Sequence, residues 1–384
     1  MVRILIGMDV HKRTVYITEL DDDGDIMEQY GIGNNINELE QFRSRYIDLN
    51  TEIALEVSTT GKYIAGKLRD MDFHVHLADP FKLSIIFKSS KKNDREDLYK
   101  LAKLLRLNEL PEVHVQSRES NQLISMVRYR RSIGEDITRI KNRIHALLSS
   151  HGITLRQKDI FGRSGLMEIE RQSTKLSASE RTVLNRMLSS VIHLRRDAIE
   201  IEDQMARHGS NVRDDVRLLM IVPGINVYSA VAIVSEIDDI RRFSSKEKLA
   251  SYSGLTPRQD QSGSRDIRGH ISKHGPSMLR FILVTAAHSV IKYSRRMRQK
   301  YMHIVRRTGM KMAIIAVARI LAETVYTMLS RNVEFMDSMD ELTERKIASM
   351  SSRAKKQNQP EDISQTIKLL RLQKIGRMSG ELFS

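Results

Sequence analysis

The 384-residue chain contains no cysteine and no tryptophan, and only 5% of its residues are aromatic. Without cysteine it cannot form a disulfide framework, a cysteine nucleophile, a thiolate zinc site or an iron–sulfur cluster. The scarcity of aromatics argues against an extensive base-stacking platform. Long apolar runs are also rare in the chain. Residues 311–329 are interrupted by Arg319 and Glu323 and predict a core helix rather than a membrane span.

The first residues show a charge every few positions and no apolar core of a signal peptide. We therefore expect a cytoplasmic protein with no membrane partner. Lys and Arg number 63 against 48 Asp and Glu, which gives a net charge of +15 and a sequence pI near 9.8. This excess predicts a polyanionic partner, and association with the nucleoid follows from it.

The positive charge is confined to parts of the chain. Residues 1–100 carry 14 basic and 18 acidic side chains, whereas residues 101–200 carry 18 and 11. Residues 251–320 carry 14 basic side chains and only 2 acidic ones. An acidic unit beside two basic segments predicts that phosphates are held in one place while other chemistry is done in another.

The first 118 residues predict an α/β domain with a mixed sheet. Short strand-like runs separated by polar links, including the DDDGD segment, indicate an antiparallel three-strand meander. Alternating strands and helices follow, with strands expected at residues 52–57 and 73–78 and helices at 61–69 and 94–107. Pattern alone is compatible with any mixed-sheet domain.

The rest of the chain predicts mainly helices. Residues 119–216 contain apolar residues at three- and four-residue intervals with many Arg and Lys between them, as in a helical or coiled-coil arm whose Met-containing faces form core or a dimer seam. Residues 217–333 indicate a mainly α domain with Gly and Pro turns. Residues 334–384 are polar and predict a loosely attached extension.

Four carboxylates in the acidic unit are candidate metal ligands. Asp9 and Glu56 end apolar strands, where ligands of α/β sheets bind. Asp94 and Asp97 are three residues apart on a predicted helix and share a face. A carboxylate on a central strand is expected to be costly unless something binds it. Oxygen-only ligands favour Mg²⁺ or Mn²⁺, and a pair of such ions suits phosphoryl transfer. The alternative is that Asp94 and Asp97 are solvated helix charges.

These motifs resemble a known family. GMDVHK with Asp9, ALEV with Glu56 and KNDREDLYKLA with Asp94 and Asp97 are similar to the RuvC-like DEDD domain of the insertion-sequence transposases usually numbered 110. Residues 218–287 resemble the second domain of that family in order, spacing and composition. The two matched segments flank the helical arm, and together they extend over most of residues 1–330.

The resemblance implies an RNase H-like (RuvC-like) domain and a recombinase that cuts and rejoins DNA. It implies that Asp9, Glu56, Asp94 and Asp97 hold Mg²⁺ and that Ser262 attacks the phosphate. It also implies guidance by a bridge RNA, encoded by the element, that pairs with donor and target DNA. Two-ended recombination implies a homodimer or homotetramer.

Considered without the resemblance, Ser262 is a weak candidate, because a serine hydroxyl needs a base or metal to activate it and no Ser-x-x-Lys or G-x-S-x-G pattern is present. Gly263 permits close backbone approach, and Arg265, Arg268 and Lys273 could hold a phosphate. An ordinary turn serine is the alternative, and Ser264 is a second candidate for the same role.

The segment IVPGINVYSA resembles half of a helix-hairpin-helix, in which the turn at Gly224 would present backbone N–H groups to a phosphate. A packing turn is the equal alternative. Two other functions remain open from the sequence: a RuvC-type metal-dependent endonuclease in which water attacks and Ser262 is inert, and a noncatalytic nucleic-acid-binding protein.

Overall fold

The computed structural model describes residues 3–47, 49–87, 94–155, 160–212, 214–262, 265–337 and 339–356. The side chains of 94, 209–212, 258–262 and 265–269 lie outside that description. The chain divides into two compact units, residues 1–115 and 116–384.

The first unit is an α/β unit. Its elements are β1 Arg3–Val10, β2 Thr14–Leu20, β3 Ile26–Gly33, α1 Ile36–Arg45, β4 Asn50–Glu56, α2 Thr59–Asp70, β5 His74–Ala78, α3 Pro80–Ile86 and α4 Asp94–Arg106. The five strands form one sheet in the order β3-β2-β1-β4-β5. Strands β1 to β3 form the predicted antiparallel meander, and β1, β4 and β5 run parallel. The mixed sheet is confirmed.

Each face of this sheet buries a separate apolar cluster. The cluster on one face contains Ile6, Met8, Ile53 and Leu55 of the central strands. The cluster on the other face is completed by α4, which contributes Leu101, Ala102 and Leu105. Burial on both faces explains the apolar run ILIGM in β1 and the run IAL in β4.

The second unit is mainly helical. Its helices are α5 Arg118–Ser150, α6 Arg163–Gln172, α7 Ala178–Val212, α8 Asp214–Met220, α9 Val227–Ile237, α10 Lys246–Tyr252, α11 Ser277–Tyr293, α12 Arg295–Thr308, α13 Met310–Arg331 and α14 Asp340–Ala354, with short 3₁₀ turns at Ser173–Lys175 and Ile240–Arg242. Helices α5 and α7 pack against each other as an antiparallel pair. Arg130 meets Glu202 near one end of the pair, and His151 meets Glu180 at the other.

The second unit also contains an antiparallel hairpin that the sequence did not predict, β6 Pro257–Ser262 and β7 Arg265–Ile271. Its strands, PRQDQS and RDIRGHI, have few apolar residues and no alternation of apolar and polar positions. The periodicity that reveals half-buried strands is therefore missing here, and the prediction of a mainly α domain at residues 217–333 did not include this hairpin.

Helix α13 is long and apolar enough to span a membrane by length and composition. It is nevertheless a core helix, as predicted, because Val317 and Leu321 are fully buried in the apolar cluster of the second unit. Arg319 forms an ion pair with Glu323 one helical turn away, with 3.0 Å between Nε and Oε1.

The described residues between 334 and 356 are packed onto the second unit and are not loosely attached to it. Phe335 and Met350 are buried in the same apolar cluster as α13. Arg353 contacts Glu202 at 2.7 Å, and Lys356 contacts the buried Asp203 at 3.0 Å. The sequence of this segment resembles that of a solvated one because charged residues make most of these attachments.

Candidate active site

Asp9 and Glu56 lie at the ends of two neighbouring parallel strands. In the register of β1 and β4, Met8 is opposite Leu55, and Asp9 and Glu56 are the next residues on each strand. Adjacent strands are separated by about 4.8 Å, so the two backbones lie side by side at the carboxyl edge of the sheet. This edge is where ligands of α/β proteins bind.

The alternation of side chains along the strands places both carboxylates on the same face. Met8 and Leu55 are fully buried in the cluster opposite α4. Since successive strand residues point to opposite faces, Asp9 and Glu56 point to the face that α4 covers. Asp97 lies on α4, whose first residue is Asp94.

Gly7 allows α4 to approach this part of the sheet closely. A Cβ atom at Gly7 would overlap the backbone carbonyl oxygen of Leu98 and would lie 3.2 Å from the backbone nitrogen of Ala102. Only a residue without a side chain fits this contact. Gly7 is two residues before Asp9, and Leu98 directly follows Asp97, so the contact brings these two segments together. Gly7 was not identified from the sequence, where its only signal is a glycine inside a strand pattern.

Asp9 and Asp97 are the predicted aspartate ligands whose side chains are described, and each contacts a histidine or lysine side chain. Asp9 is 39% exposed, and its Oδ2 lies 3.2 Å from Nε2 of His11. Asp97 is 29% exposed, and its Oδ1 lies 3.8 Å from the ammonium of Lys100. The expectation that Asp9 would be costly without a ligand is therefore wrong, because the strand end leaves its carboxylate in contact with solvent and with an imidazole.

The donor set suits a hard divalent cation. Asp9, Glu56 and Asp97 offer only carboxylate oxygens, which are the ligands that Mg²⁺ and Mn²⁺ prefer. Among the residues whose side chains are described, no group of three acidic or histidine side chains is close enough to hold a metal ion. The side chain of Asp94, the fourth predicted ligand, lies outside the described residues.

Ser262 is the last residue of β6. It pairs with Arg265, the first residue of β7, two residues of sequence away from it. Gly263 and Ser264, and the side chains of Ser262, Arg265 and Arg268, lie outside the described residues. The backbone thus places Ser262 at the tip of a hairpin.

Lys273 lies at the base of this hairpin and is exposed. It adopts a left-handed backbone conformation with φ of 56°, and its N–H donates to the carbonyl of Gly254 at 3.3 Å. Gly275 has φ of +84°, and a Cβ there would overlap the carbonyl oxygen of Tyr252. These backbone contacts hold the base of the hairpin against the end of α10 and leave the ammonium of Lys273 available to an anion.

Gly224 has a packing reason for being glycine. Its φ is +92°, and a Cβ there would overlap the side chain of Ser289 on α11. Asn226 then caps α9 by accepting a hydrogen bond from the N–H of Ser229 at 3.0 Å. Packing therefore accounts for the glycine, and capping by Asn226 accounts for the start of α9.

Lys346 of α14 also contacts this turn. It was not identified from the sequence. Its ammonium donates hydrogen bonds to the carbonyls of Met220, Val222 and Ile225 at 2.6, 2.9 and 3.0 Å. Burial lowers the pKa of Lys346 to about 8. No local pattern distinguishes this lysine from the exposed Lys355 at the end of the same helix.

Comparison with known proteins matches both units. Residues 216–302 match the model of the transposase IS116/IS110/IS902 family, and residues 6–153 match a transposase model of the IS110 DEDD type. Together these matches extend over more than half of the chain.

Several transposases are similar over most of their length. The transposase for insertion sequence element IS1111A of Coxiella burnetii is 24% identical over 250 residues, which are 64% of this chain and 68% of the relative. A probable family 20 transposase of Pseudomonas aeruginosa is 26% identical over 287 residues, 73% of this chain and 84% of the relative. The transposase for insertion sequence element IS1328 of Yersinia enterocolitica is 24% identical over 240 residues, 61% and 69%.

The two family models and the similar transposases lead to the same assignment. The chain belongs to the IS110 family of insertion-sequence transposases and is an enzyme of DNA transposition.

Proposed function

We propose that the chain cuts and rejoins DNA through a covalent serine–DNA linkage at Ser262, with Mg²⁺ held by Asp9, Glu56, Asp94 and Asp97. The observation that carries the metal part is the position of Asp9 and Glu56 at the ends of adjacent strands, on the face that α4 covers. The position of Ser262 at the end of β6 supports the serine part, because it is paired with a basic residue, Arg265, on the adjacent strand.

The roles of the carboxylates follow from charge. A bound divalent cation supplies electrostatic stabilisation of the charge that develops on phosphate oxygens. Asp9, Glu56, Asp94 and Asp97 bind it, and Lys100 limits their mutual repulsion through its contact with Asp97. Gly7 sets the distance between the helix and the sheet, so it fixes how far apart the carboxylates lie.

The proposed serine step conserves the number of phosphodiester bonds. The Ser262 hydroxyl oxygen attacks the phosphorus, a bond from phosphorus to Ser262 forms, and the bond to one deoxyribose oxygen breaks. The serine hydroxyl loses its proton, and the released sugar oxygen gains one and leaves as a hydroxyl, so that the protons balance. In the reverse step a sugar hydroxyl of another strand attacks the same phosphorus and restores Ser262, so that no high-energy cofactor is consumed.

We further propose that the first unit has a RuvC-like fold, that α5 and α7 form a coiled-coil arm, and that a bridge RNA guides a homodimer or homotetramer in the cytoplasm, on the nucleoid. We also propose that the domain boundaries lie at residues 118, 216 and 333. Arg265, Arg268, Lys273 and the turn at Gly224 are the proposed phosphate contacts. The low content of aromatics agrees with recognition by base pairing rather than stacking.

The serine proposal is tested by trapping the covalent species. The chain is incubated with Mg²⁺, the RNA transcribed from the flanks of its reading frame and labelled donor DNA, and the products are denatured. We expect a protease-sensitive protein–DNA adduct that Ser262→Ala abolishes and Ser264→Ala retains. Cleavage without any adduct, unchanged in Ser262→Ala, would instead support the RuvC-type endonuclease in which water attacks.

The metal proposal is tested separately by calorimetric titration with Mg²⁺ and Mn²⁺ in the absence of nucleic acid. Asp9→Asn is expected to weaken binding at least tenfold. Asp72→Asn is the matched control, because Asp72 is 89% exposed and lies in the same unit at a left-handed position that asparagine tolerates. Equal binding by wild type and Asp9→Asn would contradict the metal assignment without affecting the serine assignment.

A further inference from the structure

The sequence between Asp266 and Glu323 contains no acidic residue. Helix α12 lies in the middle of this stretch and carries six basic side chains: Arg295, Arg296, Arg298, Lys300, Arg306 and Arg307. The proposed roles of the DEDD carboxylates and of Ser262 do not involve this helix. The positive charge of α12 therefore indicates a separate anionic partner. The residues on the exposed face of α12 indicate which anion fits.

Helix α12 is attached by one apolar stripe. Met297 is buried in the core of the second unit, Tyr301 packs against that core, and Ile304 is partly buried. These positions are four and three residues apart, which is the spacing of one helical face. Arg295, Arg306 and Arg307 lie outside this stripe and are exposed.

The exposed arginines are not neutralised by the chain itself. Within the described part of the chain, Arg295, Arg306 and Arg307 have no ion-pair partner, whereas Arg130, Arg131 and Arg139 of α5 each contact a carboxylate. Arg295 also occupies the first turn of α12, where the helix macrodipole disfavours a cation. Arg306 and Arg307 lie in the last turn, where the macrodipole favours cations. The unfavourable position is therefore that of Arg295, which a bound anion would stabilise.

We propose that the outward face of α12 binds the backbone of duplex DNA across the major groove. Arg307 lies eleven positions after Arg296, so the two ends of the helix are about 16 Å apart along its axis. The major groove of B-DNA is about 12 Å wide and has phosphates along both margins. Each basic end of α12 can therefore contact one margin, with the uncharged residues 301–305 between them.

Duplex DNA fits this surface better than duplex RNA. The major groove of A-form RNA is deep and narrow, so a helix cannot lie across it, and its wide minor groove would require a shallower approach. The inference rests on the DNA transposition activity of the family. It does not depend on Ser262, on the metal ion or on a guide RNA.

The test measures binding of the full chain to a 30-bp duplex DNA of arbitrary sequence by fluorescence anisotropy, in EDTA and over a range of salt concentrations. The test variant is Arg295→Gln/Arg306→Gln/Arg307→Gln, which keeps helix propensity nearly constant. Each phosphate contact contributes about 0.9 to the slope of log K against log salt. We expect the slope to decrease in magnitude by about 2 to 3, and affinity near 0.1 M salt to fall by about 100-fold.

The matched control is Arg186→Gln/Arg195→Gln/Arg196→Gln on α7. These three arginines are also exposed and without an ion-pair partner in the described ranges, and the change in net charge is the same. We expect less than a threefold loss of affinity for the control. An unchanged slope in the α12 variant, or an equal loss in both variants, would overturn the proposal.

Two further measurements distinguish a DNA-binding surface from an RNA-binding or protein-binding one. A 30-bp RNA duplex should lose less affinity than DNA in the α12 variant, and a greater loss on RNA would assign the surface to RNA and overturn the proposal. Sedimentation without nucleic acid should give the same mass for variant and wild type, since a change would identify a protein interface instead. Arg306→Gln/Arg307→Gln alone should reduce the slope by about 2, which keeps the test valid if the triple variant unfolds.

Discussion

At the scale of single residues, Glu52 links the central strands β4 and β1 through a hydrogen bond whose strength depends on pH. Its carboxylate accepts a hydrogen bond from Nε of Arg3 at 2.7 Å. This bond holds the pKa of Glu52 below its usual value near 4.5, against the opposing effect of burial. The folded carboxyl therefore binds a proton less readily than the unfolded one, and Glu52 stabilises the fold above that pH.

We predict that Glu52→Gln lowers the free energy of unfolding at pH 7 by about 1 kcal/mol, allowing for solvent screening. The difference from wild type should disappear as the pH falls below about 4, through the lowered pKa. Urea unfolding at several pH values measures it. Asp72→Asn, whose side chain is 89% exposed, should show almost no loss at any pH. A difference that persists at low pH would exclude the charged hydrogen bond as its cause.

Gly7 and Gly66 predict opposite effects of the same substitution. Gly7→Ala should destabilise the chain by about 1–3 kcal/mol, because its Cβ would overlap backbone atoms of α4 that cannot change rotamer. Gly66 lies exposed in α2 with no atom within 4 Å of its added Cβ, so Gly66→Ala should stabilise by about 0.5–1 kcal/mol. Thermal unfolding measures both, and changes of the same sign would contradict the proposed contact.

Asp9 and Glu56 could be identified from the sequence because a charged residue at the end of an apolar run is visible locally. Gly7 and Lys346 could not. The contact of Gly7 is with Leu98, and the partners of Lys346 lie more than 120 positions earlier in the chain. No spacing rule connects such distant positions.

At the scale of elements, charged side chains help to attach α14 to the second unit, beside the buried Met350. Lys346→Met should lower the free energy of unfolding by about 1–2 kcal/mol, because three carbonyls near the turn between α8 and α9 lose their donor. Hydrogen exchange should accelerate in α14 and in that turn. Lys355→Met at the end of the same helix is the control, since Lys355 is exposed, and an equal effect of both would show that Lys346 acts only through general charge.

The elements that the sequence predicted best are those with a strong apolar pattern. The meander β1 to β3 is present as predicted, and β4 and β5 lie within two residues of their predicted positions. The long helices α5 and α7 lie in the segment that was predicted to be helical. The β6–β7 hairpin was missed, because its pairing is made by backbone hydrogen bonds between polar strands. Propensity gives little information about such a hairpin.

At the scale of the whole molecule, the division at residue 115 predicts that the first unit folds alone. It has apolar clusters on both faces of its own sheet, and about 115 residues suffice for an independent core. A fragment of residues 1–115 should unfold cooperatively in urea and should be destabilised by Gly7→Ala as the full chain is. A gradual, noncooperative transition would contradict this prediction.

The amino-acid sequence alone determined the exclusion of cysteine chemistry, the separation of an acidic from a basic part and the positions of the carboxylates along the chain. These properties belong to composition and to local order, so they need no neighbours. The approach of α4 to Gly7, the acceptors of Lys346 and the exposed arginine face of α12 depended on folding. Each is decided by residues far apart in the sequence, because the packing of whole elements determines which side chains meet and which stay in solvent.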